Sequence, residues 1–155
     1  MSDVQLSGPS YGPASGNAPK QLVVLLHGRG ADGNDLIGLA PMFAEHLPDA
    51  LFLAPDAPHP CDGAPFGLQW FSLIDRSPEN IAAGVRGAAP AVDGFLDHHL
   101  VRHGLGDGDL ALFGFSQGSM MALYVGLRRK GQPAAVLGYS GMLAAADSLA
   151  AEITV

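Results

Sequence analysis

Four short apolar runs, residues 21–26, 51–54, 109–115 and 134–139, alternate with three segments of helical period. This alternation constrains the fold more than any other feature of the chain. Strands joined through helices return in parallel, and a parallel sheet must be covered on both faces. The pattern predicts a doubly wound, mostly parallel α/β sheet with helices on both faces, in a single domain over residues 1–155.

The helical segments carry their own punctuation. Asn34 reads as an N-cap for the apolar positions Leu36, Ile37, Leu39, Ala40, Phe43 and Leu47, and Gly38 and Pro41 predict a kink or a division into two pieces. Ser77, followed by Pro78, opens a second helix whose stripe runs through Ile81, Val85, Ala88, Val92, Phe95, Leu96 and His99 to Gly104. Residues 119–129 form the third. The first twenty residues, rich in Gly, Pro, Ser and Ala, predict a loose lead-in with a single edge strand. Residues 55–77 show neither period and are too long for a plain connection. There Phe66, the sole tryptophan Trp70 and Phe71 either wall a substrate pocket above the sheet or anchor the loop on the core.

Composition removes several function classes. Eight Lys and Arg against fifteen Asp and Glu, a formal net charge of -7, cannot easily supply the basic surface that nucleic acid requires. No basic start followed by an apolar stretch opens the chain, and no apolar run approaches the roughly 20 residues of a membrane span, so a cytoplasmic location is expected. The one cysteine, Cys61, fits a reducing compartment and reads as a buried or idle thiol.

Two glycine motifs carry the chemistry. Gly114-Phe115-Ser116-Gln117-Gly118 stands between an apolar run and an amphipathic segment. This is the nucleophile-elbow pattern, in which a tight turn lifts a serine hydroxyl out of the sheet and small flanking residues let strand and helix approach. Ser116 is therefore the candidate nucleophile. Gly8-Pro9-Ser10-Tyr11-Gly12 has the same spelling but no strand before it or helix after it, and fails that test of context. The second motif, Gly28-x-Gly30-x-x-Gly33, admits two readings. As a dinucleotide loop it would offer helix amides to a pyrophosphate, with Asp56 for a ribose, yet Asn34 caps the helix too late and Asp32 would repel the phosphates. As an oxyanion loop it would offer the backbone N–H of Arg29, paired with that of Gln117 behind the nucleophile, to a developing negative oxygen. The oxyanion reading is preferred, with the Arg29 side chain a solvated charge and His27 hydrogen-bonding the loop.

The segments LLHGRGADGNDL, APDAP, QWFSL, GFSQGSMMAL and GYSGML, in this order, resemble the phospholipase/carboxylesterase group of α/β-hydrolases that includes acyl-protein thioesterases. The resemblance covers residues 21–143. It implies a serine hydrolase without a cofactor, acting on a small-molecule ester or acyl thioester through an acyl-serine intermediate at Ser116, with Arg29 and Gln117 as oxyanion hole. It also exposes a gap, because in this fold the acid and then the histidine follow the serine. His27, His46, His59, His98, His99 and His103 all precede Ser116, and Asp147 and Glu152 come too soon after the fourth run. The expectation is a chain lacking the last strands and helices of the fold, nearly inactive alone, with exposed apolar surface that favours association. A catalytically dead binding module is the first alternative and an NAD-binding domain the second. A homodimer stays open as an assembly. His59, on the pocket loop, is the upstream histidine a rearranged site would use. His99 and His103 lie four apart but lack the intervening Glu and a third ligand, so no metal site is expected; the negative pole of their helix explains them better.

Overall fold

A computed structural model describes residues 5–153. In chain order the elements are β1 (Ser10–Tyr11), β2 (Gln21–Leu26), α1 (Gly33–Ile37), α2 (Ala40–Ala44), β3 (Ala50–Leu53), β4 (His59–Pro60), β5 (Leu68–Gln69), α3 (Pro78–His103), β6 (Leu110–Phe115), α4 (Gln117–Arg128), β7 (Ala135–Tyr139) and α5 (Ala146–Glu152). Five strands form one sheet in the order β1-β3-β2-β6-β7, parallel except for β1, which runs antiparallel along β3. The lead-in thus contributes the edge strand it was expected to.

Strand β2 shows why a parallel sheet needs two covers. Its residues alternate between faces. Leu22, Val24 and Leu26 join a core built with α3, α4 and Trp70, whereas Val23 and Leu25 join Phe52 under α1 and α2. The strand has no wet face, which is why it reads as an unbroken apolar run.

The helices follow their sequence signals with two shifts. Asp32, not Asn34, is the first N-cap: its backbone is extended and its carboxylate accepts the Asn34 N–H at 2.8 Å. Asn and Asp cap equally well, so composition could not choose between them. The segment then divides into α1 and α2 at Gly38 and Leu39. Helix α3 begins on the Ser77 cap, carries Pro90 in its interior without ending there, and closes on Gly104 at φ 66°. Helix α4 starts at Gln117, two residues before the expected 119, directly behind Ser116. At its end Arg129 gathers Asp93 and Asp97 of α3 and Asp107, at 2.6–2.8 Å. Residues 55–77 hold a small hairpin, β4 against β5, that their lack of period had hidden. Strand β7 forms the opposite edge and leaves Leu137 and Tyr139 exposed.

Candidate active site

The turn from β6 into α4 places Ser116 at φ 54° and ψ −119°, a conformation that costs a non-glycine residue about 1–3 kcal/mol. Four groups hold it there, the Met120 N–H among them, which donates to its carbonyl at 3.3 Å. Its N–H donates to Tyr139 O at 2.8 Å, and its carbonyl accepts from Ser119 N–H at 3.0 Å and from the Ser119 hydroxyl at 2.7 Å. The flanking glycines explain the spelling of the motif. A Cβ on Gly118 would lie 1.9 Å from Leu26 O, and one on Gly114 would lie 2.3 Å from Gly118 O. Strand and helix touch backbone to backbone.

The loop after β2 comes against the same serine. A Cβ on Gly28 would stand 3.2 Å from Ser116 Cβ, so the glycine leaves only a thin gap between the loop and Ser116. Ala31 N–H closes a turn onto Gly28 O at 3.2 Å, and Gly30, at φ 86°, donates to Leu68 O at 2.7 Å. Among the described residues, the backbone N–H groups of Arg29 and Gln117 have no acceptor. Gln117 is fully buried, so its N–H is an unpaired buried donor, a group that native structures rarely leave without purpose.

His27 is buried and occupied on both ring nitrogens. Ala57 N–H donates to its Nε2 at 3.0 Å, which requires the proton on Nδ1, and Nδ1–H donates to Gly28 O at 2.8 Å. A ring fixed in this tautomer braces the loop and has no free nitrogen for proton transfer. Its carbonyl accepts Trp70 Nε1–H at 2.8 Å.

The Arg29 side chain is not the solvated charge that was expected. It is half-buried, its Nε donates to Gln69 Oε1 at 3.2 Å, and its Nη2 donates to Asp62 O. Gln117 reaches the same loop from the other side, accepting Trp70 N–H at 2.9 Å and donating to Phe71 O at 2.7 Å. The Asp62 carboxylate sits beside this network with Oδ2 buried and, among the described residues, unpartnered; the neighbouring polar side chains of Ser72 and Gln69, aided by the Arg29 charge, hold it below the ordinary carboxylate range.

These bonds decide what the three aromatic residues do. Trp70 and Phe71 are buried in the core and back a cavity of about 650 Å³, whose rim includes His59, Asp62, Ser72 and Gly84. Phe66 is 78% exposed and lies outside that cavity, so it is not brought together with the other two. His59 is exposed on β4, and His46 is exposed beyond α2. His98, His99 and His103 ride on α3. Among the described residues, Ser116 Oγ has no hydrogen-bond partner, histidine or otherwise.

The dinucleotide reading fails on the same geometry. Asp32 already takes the Asn34 N–H, and Asp56, the acid once assigned to a ribose, takes the Gly33 N–H at 2.8 Å. Two carboxylates occupy the amides a pyrophosphate would need.

A parallel sheet, a serine on a strained strand-to-helix turn and a glycine loop beside it define an α/β-hydrolase fold. The sequence pattern of the Phospholipase/Carboxylesterase family matches residues 13–155, and the chain belongs to that family. It is similar to the crystal structure of esterase PE8, at 47% identity and a TM-score of 0.91 over 97% of this chain and 71% of that one. It is also similar to the Escherichia coli (strain K12) esterase YpfH, 30% identical over 87% of this chain and 58% of the relative. A carboxylesterase from Mesorhizobium loti aligns at 26% identity and a TM-score of 0.61, covering 76% of this chain and 53% of that one. The chain thus spans between about half and three quarters of the length of these proteins. No helix among the described residues is long and apolar enough to cross a membrane.

Proposed function

We propose that this chain carries the nucleophile and oxyanion hole of a serine hydrolase acting on carboxylic esters or acyl thioesters. The observation that carries the reading is Ser116 in its strained turn beside two backbone donors, Arg29 N–H and Gln117 N–H, that nothing else uses. Ser116 Oγ attacks the acyl carbon as its proton passes to a base, and the carbonyl oxygen takes the negative charge against the two amides. The alcohol or thiol leaves with a proton, and water then releases the acid from the acyl-serine. His27 is bonded on both nitrogens, so the base is another group. In this fold the acid and histidine follow the serine in the chain, and the reading assigns both to sequence outside residues 1–155 of a longer protein. Residues 1–155 alone would then keep only the small rate an oxyanion hole sustains, with the loss on the order of 10⁶ in turnover.

The test is labelling of the protein purified from its own cells with a fluorophosphonate, followed by intact and peptide mass. One adduct on Ser116, absent in Ser116→Ala together with ester hydrolysis, is expected. Ester hydrolysis that survives Ser116→Ala would overturn the assignment, and a native protein with neither adduct nor turnover would favour the binding module.

A further inference from the structure

A second cavity shares no residue with the elbow or the loop after β2. It is an open groove between residues 5–10 and one face of α3, with a volume of about 930 Å³. Leu6, Leu53, Ala91 and Phe95 give it an apolar lining. Gly87 and Gly94 add nothing to it, and a Cβ on either would meet open space. From Gly87 to Arg102 the face extends ~22 Å along the helix.

One end has a different chemistry. His98, His99 and Arg102 line it, and His103 stacks on His99 with ring centroids 6.3 Å apart. Among the described residues, Arg102 has no hydrogen bond or ion pair, and His99 Nδ1 is buried without a partner. These groups are not needed to finish the helix, since Gly104 N–H already bonds Leu100 O and Val101 O, and Leu105 N–H bonds Leu100 O. The carboxylates nearest on α3, Asp93 and Asp97, are drawn to Arg129. Burial first, then the neighbouring His98, His103 and Arg102, hold His99 below the ordinary histidine value. Arg102 is the one permanent positive charge among the described residues that line this end.

We infer that this groove binds a single-chain amphiphile with a carboxylate head, its apolar body along Ala91 and Phe95 and its head against Arg102 and His99. A cationic head would meet the like charge of Arg102, and an uncharged head would forgo the ion pair with it. The site stands whether or not Ser116 is a nucleophile.

Calorimetric titration of the full natural protein carrying Ser116→Ala, with laurate, dodecanol and dodecyltrimethylammonium in turn, tests it. Saturable binding of laurate at one site, at least tenfold tighter than either of the others, is expected. Arg102→Gln, an exposed change, should weaken laurate tenfold, and Gly94→Phe should abolish its binding by filling the groove while the melting temperature holds. Equal affinity for laurate and dodecanol, non-saturable uptake, or laurate binding untouched by both variants would overturn the proposal.

Discussion

The two halves of the site are held in place by different forces. The elbow is fixed by contact between backbones: Gly114 and Gly118 let α4 lie on β2 and β6 with no side chain between them, and the strain at Ser116 is contained by that packing. The glycine loop after β2 has longer supports. The side chains of Arg29 and Gln117 tie it and the 62–71 segment together through hydrogen bonds to distant residues, and the His27 ring braces it between Gly28 O and Ala57 N–H. Close packing tolerates no added atom, whereas a set of hydrogen bonds can lose one member and keep its outline. The elbow should therefore fail all at once and the loop by degrees.

Gly118→Ala is the strongest way to break that contrast. Its new methyl would stand 1.9 Å from Leu26 O, and neither the strand nor the helix can withdraw without opening the core between them. A loss of more than about 3 kcal/mol of stability is expected, measured by urea unfolding. Gly30→Ala is the control from the other half. It has open space around it and only the cost of φ 86°, so about 1–2 kcal/mol is expected. Equal losses at the two positions would show that the halves are held alike.

Gln117→Ala sharpens the comparison because it keeps the backbone N–H at the elbow and removes only the strut to the loop. Trp70 N–H and Phe71 O would be left buried without partners, at about 1–3 kcal/mol each. The expected outcome is about 2–4 kcal/mol of destabilisation together with greater exposure of Trp70, read by quenching of its fluorescence. Unchanged quenching would mean that Trp70 is held by its bond to His27 O and its packing alone.

The same difference governs what could be read from the sequence. The elbow lies within five consecutive residues, and its chemistry follows from their order; so does the Ser77–Pro78 start of α3. The supports of the loop after β2 join positions 40 apart for Arg29 and Gln69, and 46 or 47 apart for Gln117 and the aromatic segment. No local pattern reports such a pair. Arg29 therefore looked like a solvated charge, and Trp70 could not be told from Phe66, although one is buried and the other exposed. The quoted QWFSL segment marked the right place, and an available polar partner for its Gln69 was the missing information. Leu137 and Tyr139 of β7, and Met142 and Leu143 after it, are exposed.

The smallest effect lies in acid. The neighbouring polar side chains of Ser72 and Gln69, with the Arg29 charge behind them, depress the folded-state pKa of Asp62. The stabilisation this represents is fully present above the ordinary carboxylate range and disappears as pH falls through the depressed value, because below about 4 the unfolded chain takes up the proton first. Asp49, Asp75 and Glu152 are depressed as well and lose stability over the same range. The informative quantity is thus the difference between the parent and Asp62→Asn. Their melting temperatures should run parallel from pH 7 to about 5 and converge below about 4, since the variant has no proton to gain at that position. A constant gap down to low pH would mean that the Asp62 carboxylate contributes nothing to the loop beyond its shape, and that the backbone bonds of Gly30 and Leu68 and the Arg29 bond to Asp62 O hold it unaided.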